Sequence, residues 1–378
     1  MTTLGRMMGA LMLMMPATMW AQSDDHYTVP ETSIDHNYPR ILEDNSVLFR
    51  LRTTDASQIT LSLDPECRFV KQEDGSWVAH TKPLVEGFHY YWLNINGMQL
   101  SDPNSMSYFG CGRMTSAIDI PEKGCTFYDR KEVPHGRVLQ MEYFSEARGR
   151  HEGVWVYTPP TYDEGTREYP VLYLQHGGGE DESGWVNQGK THYILDNLIA
   201  EGQAKEMIVV MCNGTFNIPG APFGYSIEGT RPFADDMVKC LIPFVERNFR
   251  VIKGKEGRAM AGLSMGGGQT FFTGLTHLDL FAHLGIFSTG VFGGIRESAG
   301  FDAEAAMPGL LSDPERFNGA LKTLYISVGT DDPRIKGTTQ TVATMREHGL
   351  KVTFNSFKGD HEWQVWRKSL EDYVKKIF

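Results

Sequence analysis

Cysteine is scarce in this sequence, and its spacing excludes the structures that clustered cysteines support. The 378 residues contain five cysteines, and no two of them form a C-x-x-C pair. Neither a zinc site nor a disulfide framework is therefore indicated. Cys111 and Cys125 are close enough in sequence to close a short loop in an oxidising compartment. Cys212 ends an apolar run and Cys240 lies in a helical pattern, so both are expected to be buried thiols.

Positive charge is also in deficit. The chain has 36 Lys and Arg against 47 Asp and Glu, which gives a formal net charge of −11. A chain of this charge repels polyanions, so nucleic acid and anionic membrane surfaces are not expected as partners, whereas neutral polymers remain open. Internal repeats are absent, and no low-complexity run occurs after the first residues.

The sequence has no long apolar run, and the apolar segment near its N-terminus is short. Arg6 precedes the apolar residues 7–15, and small residues then lead to Ala21 before a polar stretch. The apolar run is too short to span a bilayer permanently. The order of positive, apolar and small residues is that of a secretory signal peptide. We therefore expect residues 1–21 to be removed and the mature protein to be exported, either periplasmic or secreted, with no stable membrane insertion.

Residues 22–125 carry short segments in which apolar and polar side chains alternate, separated by Asp-Gly, Glu-Gly and Asn-Gly turns. Alternation with a period of two is typical of β-strands. We predict a small all-β, immunoglobulin-like sandwich over residues 22–125 and a linker over residues 126–137. The predicted strands are residues 47–52, 58–63, 76–80 and 88–95.

From residue 138 to residue 378 the pattern changes to apolar strands that alternate with amphipathic helical stretches. Such alternation predicts an α/β fold in which helices cover both faces of a mostly parallel sheet. The predicted strands are residues 153–157, 170–175, 207–211, 258–263, 283–288, 323–328 and 352–357. The clearest predicted helices are residues 233–248, 338–348 and 363–376.

One predicted strand leads into the sequence G-L-S-M-G-G at residues 262–267. The G-x-S-x-G pattern alone is common, but here an apolar strand precedes it and a helical stretch follows. A nucleophile elbow has this strand–turn–helix arrangement, in which glycines permit a sharp turn that lifts the serine hydroxyl above the sheet. Ser264 is therefore the candidate nucleophile. The alternative is a glycine-rich turn without catalytic function.

A second glycine-rich segment, H-G-G-G at residues 176–179, directly follows the strand at residues 170–175. In a fold with a nucleophile elbow, this loop supplies one backbone N–H of the oxyanion hole, and the residue after the nucleophile supplies the other. We predict Met265 as one donor and Gly178 or Gly179 as the second. His176 is expected to be structural, because the loop acts through its backbone.

The remaining catalytic groups should follow in the order acid and then histidine, each after a strand. Asp331 and Asp332 follow the strand at residues 323–328, and His361 follows the strand at residues 352–357. His361 is the candidate general base, held in one tautomer by a carboxylate. Spacing leaves the carboxylate open between Asp331 and Asp332, with Asp360 as a weaker third candidate.

Residues 184–191 fit the phosphate-binding pattern G-x-x-x-x-G-K-T letter for letter. A phosphate cradle needs an apolar strand before its first glycine, whereas acidic residues precede this one, so no nucleotide is expected. Trp185 is instead interpreted as a wall of the substrate pocket. Phe216 and Phe223 lie in a Gly- and Pro-rich loop after a strand and are candidates for the same pocket, although an ordinary surface loop is the alternative.

With these motifs in place, residues 138–378 resemble the esterase D-like branch of the α/β-hydrolases, which includes the feruloyl and acetyl xylan esterases of carbohydrate esterase family 1. The matching stretches are residues 173–185, 261–267 and 359–363. In that family the acid occupies the last position of a G-x-x-D turn, which favours Asp332. Residues 35–110 resemble the family 48 carbohydrate-binding module that often precedes such domains.

This resemblance implies a serine esterase with a Ser-His-Asp triad and an acyl-enzyme intermediate, without a cofactor or metal. The family includes enzymes for feruloyl, acetyl xylan, siderophore and formylglutathione esters. The export signal argues against a cytosolic thioesterase, and the β-domain favours plant cell-wall polysaccharide esters. We therefore expect a feruloyl esterase acting on feruloylated xylan, with an acetyl xylan esterase second. A binding protein on an inactive hydrolase scaffold is a third hypothesis. The β-domain is expected either to bind glycan or to serve as a scaffold whose loop at residues 105–111 reaches the active-site rim.

Overall fold

A computed structural model of the chain describes residues 26–217, 220, 225–293 and 301–378. The predicted signal peptide lies outside these residues. The part that is described contains an N-terminal β-region, defined here as residues 26–120, and a following α/β-region that begins at residue 137. Within the described residues no helix is both long enough and apolar enough to cross a membrane.

Antiparallel pairing joins the strands of the N-terminal β-region into small sheets. Alternate side chains of these strands, such as Val47, Phe49 and Leu51, point into a common core. This is the period-two pattern that predicted them, and the all-β prediction is confirmed. The strands are β1 Tyr27–Thr28, β2 Arg40–Leu42, β3 Val47–Arg52, β4 Ile59–Leu61, β5 Val70–Lys71, β6 Ser76–His80, β7 Gly87–Tyr91, β8 Leu93–Ile95, β9 Met98–Leu100, β10 Ser107–Gly110 and β11 Arg113–Ile120.

The α/β-region is built on an eight-stranded sheet in the order β12-β13-β15-β14-β16-β17-β18-β19. β12 and β13 are antiparallel to their neighbours, and the other six strands are parallel to one another. The predicted α/β fold is confirmed. The strands are β12 Arg137–Ser145, β13 Arg150–Thr158, β14 Val171–Gln175, β15 Ile208–Cys212, β16 Arg258–Leu263, β17 His283–Phe287, β18 Thr323–Gly329 and β19 Thr353–Phe357.

Helices cover both faces of this sheet. Neighbouring residues of one strand enter opposite cores, as Val171 and Leu172 of β14 do. One core receives α3, α4, α5 and α8, and the other receives α2 and α9 together with side chains of the N-terminal β-region. The helices are α1 Gly184–Asn187, α2 Thr191–Ala200, α3 Ile227–Asp236, α4 Ile242–Asn248, α5 Met265–Thr276, α6 Ala303–Ala306, α7 Pro314–Ala320, α8 Ile335–Glu347 and α9 Trp363–Val374.

The secondary structure differs from the prediction at two places. The continuous helix predicted over residues 233–248 is interrupted by the π-helical segment Met237–Leu241. Pro243 is the second residue of the following helix, and its missing N–H cannot close a regular α-helical hydrogen bond. Strand β12 was not predicted, because it lies at the sheet edge with most of its side chains at least partly exposed and therefore carries no apolar run.

The suggested bridge between Cys111 and Cys125 is also absent, because both thiols are free. Strand β11 runs extended between them over eight residues. A strand of that length spans about 26 Å at ~3.3 Å per residue, whereas a disulfide needs Cα atoms within about 7 Å. Cys212 and Cys240 are buried, as predicted.

A buried ion pair joins the two regions. Arg367 of α9 is fully buried and makes two hydrogen bonds, of 2.9 and 3.2 Å, to the carboxylate of Asp119 in β11. The same guanidinium donates to the carbonyl oxygen of Gln188 at 2.6 and 2.9 Å. A buried guanidinium is tolerated only when its N–H groups are paired in this way.

Asp119→Ala is expected to lower the free energy of unfolding by about 3–5 kcal/mol, because it leaves the Arg367 charge buried and unpaired. Chemical denaturation followed by tryptophan fluorescence measures the change. Asp163→Ala is the matched control: Asp163 pairs with Arg137 at the surface, so its loss should leave the unfolding midpoint unchanged. Equal midpoints for the two variants would contradict the importance of the buried pair.

Candidate active site

Ser264 lies at a sharp turn between a buried strand and a helix. β16 is buried along its whole length, Ser264 has a φ of 51°, and α5 begins at the next residue. A side chain on Gly262 would place its Cβ 2.5 Å from the backbone of Gly266, and one on Gly266 would meet the carbonyl oxygen of His176 at 2.6 Å. Glycine is therefore required at both positions, and the strained turn raises the serine hydroxyl above the sheet.

His361 forms hydrogen bonds on both sides of its ring. Nε2 lies 3.0 Å from Oγ of Ser264, and Nδ1 lies 2.8 Å from Oδ2 of Asp332. Because the carboxylate accepts from Nδ1–H, Nε2 is left as the nitrogen that can accept the serine proton. The geometry is that of a nucleophile, a base and an orienting carboxylate.

Asp332 is completely buried. Burial by itself raises its pKa, but hydrogen bonds from His361 and from the backbone and guanidinium of Arg334 outweigh burial and hold the pKa below its ordinary value. The carboxylate therefore stays ionised at neutral pH beside the imidazole. Its second oxygen is occupied by Arg334, so only Oδ2 faces His361.

The structure separates the three candidate acids. Asp331 is exposed, and among the described residues its carboxylate accepts only a long hydrogen bond, 3.3 Å, from its neighbour Thr330. Asp360 accepts the backbone N–H of His361 at 2.7 Å, which does not orient the imidazole. Ser264, His361 and Asp332 are the residues that the fold brings together.

The H-G-G-G loop lies directly against the elbow. The carbonyl oxygen of His176 accepts the N–H of Gly266 at 3.1 Å. His176 is buried: its Nδ1 donates to the carbonyl oxygen of Gly177 at 2.7 Å, and its Nε2 accepts the N–H of Gly214 at 2.9 Å. Burial lowers its pKa, which suits this neutral tautomer. His176 therefore ties the loop to its neighbours.

A cavity of about 230 Å³ opens beside the loop and the elbow. Gly178 and Met265, two of the predicted oxyanion donors, both contribute to its wall, whereas the carbonyl oxygen of Gly179 is bound by the N–H of Gly112. Three of the lining residues are aromatic. The lining residues are Gly178, Gly214, Phe216, Tyr225, Gly229, Thr230, Phe233, Met265 and Gln269.

The three pocket aromatics predicted from the sequence have different outcomes. Phe216 lines the cavity, with the guanidinium of Arg148 3.8 Å from its ring centre. The prediction for Trp185 is wrong: its side chain is 1% exposed, donates its indole N–H to the carbonyl oxygen of Gln175, and packs edge-on against Trp363. A ring so enclosed cannot contact a substrate. Phe223 lies outside the described residues.

The segment that resembles a phosphate-binding loop has a different arrangement. Lys190 has a left-handed backbone and precedes α2, and its ammonium group lies 3.0 Å from a carboxylate oxygen of Glu31 and 3.4 Å from one of Asp119. Two carboxylates at this distance already pair with the ammonium group that a phosphate would need. Over the described residues, no group of three or more His, Cys, Asp or Glu side chains is placed to hold a metal ion.

Two residues at this site were not singled out from the sequence as functional. Glu180 follows the H-G-G-G loop and is buried, and burial raises its pKa to about 7. Tyr90 lies in the strand predicted over residues 88–95, and its hydroxyl donates to Glu180 at 2.9 Å. The sequence signal that could have identified Glu180 was its position directly after the oxyanion loop.

The elbow, the facing loop and the residues after β18 and β19 are arranged as in an α/β-hydrolase. Residues 145–377 match the model of the family described as "Putative esterase". The chain belongs to this esterase family.

Relatives among curated proteins agree with this assignment. The chain is 35% identical over 367 residues to an endo-1,4-beta-xylanase/feruloyl esterase from Xylanibacter ruminicola, a match that covers 94% of this chain and 48% of that protein. An esterase from Mycobacterium tuberculosis is 35% identical over 150 residues, or 38% of this chain and 30% of that one. The chain thus spans about half, or less, of the length of these relatives.

Solved structures share the fold. A ferulic acid esterase is 26% identical, with a TM-score of 0.55 over 65% of this chain and 99% of its own. The enterobactin esterase from Shigella flexneri is 14% identical, with a TM-score of 0.62 over 87% of this chain and 92% of its own. The predicted α/β-hydrolase fold and the esterase resemblance are confirmed. The resemblance of residues 35–110 to a family 48 carbohydrate-binding module stays a prediction.

Gly266→Ala tests the close approach of the elbow to the facing loop. The added methyl would meet backbone oxygen atoms that cannot move independently, so we expect a loss of about 1–3 kcal/mol in stability. Differential scanning calorimetry measures the fall in melting temperature. Gly319→Ala is the control, because Gly319 lies exposed in α7 with open space around it. A Gly266→Ala protein as stable as Gly319→Ala would contradict the contact.

Proposed function

We propose that this chain is an exported serine esterase that hydrolyses plant cell-wall polysaccharide esters and releases ferulate from feruloylated xylan. The observation that carries the proposal is the hydrogen-bonded series Ser264–His361–Asp332 beside a cavity with aromatic walls. The 35% identity to a xylanase/feruloyl esterase supports the choice of substrate.

The proposed reaction follows from the geometry. Nε2 of His361 removes the proton of Ser264 as Oγ attacks the ester carbonyl carbon. Negative charge then develops on the carbonyl oxygen, where the N–H groups of Met265 and Gly178 stabilise it. His361 returns the proton to the leaving sugar oxygen, and water hydrolyses the acyl-enzyme by the same steps. Asp332 holds the tautomer and stabilises the imidazolium.

The cavity suits an aromatic acyl group. It begins at Gly178 and Met265, so an acyl chain whose carbonyl oxygen lies between these amides can extend into it. Phe216, Tyr225 and Phe233 offer ring edges and faces to an aromatic acid. An acetyl group would leave most of this surface without contact, which favours feruloyl over acetyl esters.

We also propose the chain organisation that accompanies this activity. Residues 1–21 act as a signal peptide, residues 22–125 form one domain, residues 126–137 a linker and residues 138–378 the catalytic domain. The net charge of −11 supports a neutral polysaccharide partner rather than a nucleic acid. Export would bring the enzyme to its polymeric substrate.

Hydrolysis of methyl ferulate and p-nitrophenyl acetate by the wild type and by Ser264→Ala tests the activity. We expect ferulate turnover in the wild type and a loss of roughly 10⁴- to 10⁶-fold in Ser264→Ala, because no other group replaces the nucleophile. Turnover of acetate alone would assign an acetyl esterase. Full activity in Ser264→Ala would refute the mechanism.

The neighbouring aspartates provide a matched pair for the acid. Asp332→Asn keeps the shape of the side chain but favours the wrong imidazole tautomer, so kcat should fall by about 10⁴-fold. Asp331→Asn alters only an exposed carboxylate and should leave kcat within about 2-fold, the usual scale for a surface change. Steady-state kinetics with methyl ferulate compares the two. A larger loss in Asp331→Asn would reverse the assignment of the acid.

A further inference from the structure

The carboxylate of Glu180 lies at a junction of three parts of the molecule. Its Oε2 accepts the N–H of Gly177 at 3.2 Å, within the H-G-G-G loop. Its Oε1 accepts the hydroxyl of Tyr90 at 2.9 Å and the indole N–H of Trp363 at 3.0 Å. Trp363 opens α9, two residues after His361. One buried carboxylate therefore connects the oxyanion loop, the segment that carries the base and the N-terminal β-region.

Tyr90 is the contribution of the N-terminal β-region to this junction. It lies in β7, and its hydroxyl oxygen is approached by the side-chain amide of Gln188 at 2.9 Å and by the indole N–H of Trp363 at 3.2 Å. Both neighbours are donors, so the hydroxyl proton of Tyr90 has Glu180 as its acceptor. The direction of this hydrogen bond is fixed by its surroundings.

A second contact from the same region reaches the next residues of the loop. Strands β10 and β11 form a hairpin whose tip contains Gly112, and the N–H of Gly112 donates to the carbonyl oxygen of Gly179 at 2.9 Å. Gly178 thus has a neighbour held on each side, Gly177 through Glu180 and Gly179 through Gly112. Its own N–H belongs to the peptide between Gly177 and Gly178.

Glycine peptides rotate freely unless their neighbours restrain them. An oxyanion donor is effective only when it is already aimed at the position where negative charge develops. A run of three glycines therefore needs contacts that hold one amide in place. Nδ1–H of His176 holds the carbonyl oxygen of Gly177. Tyr90, Glu180 and Gly112 supply the contacts from outside the loop's own histidine.

We propose that the N-terminal β-region is part of the working active site, with Tyr90 and Glu180 as positioning residues that hold the amide of Gly178 for the transition state. This inference rests on the proposed esterase function. It assigns the region a role in turnover, in addition to any role in binding glycan or in stability.

The decisive variants are Tyr90→Phe and Glu180→Gln. Tyr90→Phe removes one hydroxyl and retains the ring. Glu180→Gln replaces one acceptor oxygen with an NH₂ donor, so either the N–H of Gly177 or the two groups that donate to Oε1 lose their acceptor. Assays at pH 8 lie above the pKa of about 7 for Glu180 and keep its wild-type carboxylate ionised. Tyr108→Phe is the control, because within the described part of the chain the Tyr108 hydroxyl makes only a 3.9 Å contact with the sulfur of Met106.

With methyl ferulate, kcat should fall about 10- to 100-fold in Tyr90→Phe and further in Glu180→Gln. Neither decrease should exceed the one that follows the loss of a whole oxyanion donor. KM should change by less than about 2-fold, because uniform binding of the substrate is retained. Phenylboronic acid, which forms a tetrahedral adduct with Ser264, should bind more weakly by the same factor as kcat. Product inhibition by ferulate should be unchanged. Tyr108→Phe should match the wild type.

Each other outcome has a distinct meaning. Unchanged kcat in both variants, with Ser264→Ala inactive, overturns the positioning role and leaves the esterase intact. Parallel loss of ferulate and boronate binding, together with a lower melting temperature, also overturns it, because the damage is then general. Failure of the wild type to hydrolyse any ester overturns the proposed function and this inference together.

Discussion

The hydrogen bond between Oγ of Ser264 and Nε2 of His361 joins residues 97 positions apart, and the rest of the site is arranged around it. It forms because β16, β17, β18 and β19 are parallel and in register, so the residues that follow them meet at one edge of the sheet. The hydrophobic cores on both faces hold that register, since a shift of one residue would exchange the two faces of every strand.

Around this bond, packing sets distances and polar contacts set orientations. The close approach of Gly266 to His176 sets how near the oxyanion loop lies to the nucleophile. Buried polar groups then fix orientation: Arg334 holds the far oxygen of Asp332, and Glu180 holds the loop. Each of these groups is costly to bury alone and is stable only with its partners in place. The buried contacts that stabilise the fold therefore also orient the catalytic groups.

Sequence patterns were sufficient where the signal is local. The strand before Ser264 is predicted over residues 258–263 and observed as Arg258–Leu263, because buried parallel strands are continuous apolar runs. Edge strand β12 has no such run and was missed. Trp185 was misassigned for a related reason: a tryptophan beside a glycine-rich loop has the same letters whether its ring faces a cavity or the core, and only packing against Trp363 distinguishes the two.

The sequence by itself determined the class of fold, the elbow at Ser264, the facing glycine loop and the candidate base His361, because each depends on the order of residues within a short segment. Spacing left Asp331 and Asp332 open and only the family resemblance favoured Asp332. The tertiary structure placed the carboxylate of Asp332 against His361, separated Cys111 from Cys125 and brought Tyr90 to Glu180. These results depend on distances between segments remote in the chain. Such distances follow from sheet register and from the contact between the two regions, neither of which any local pattern encodes.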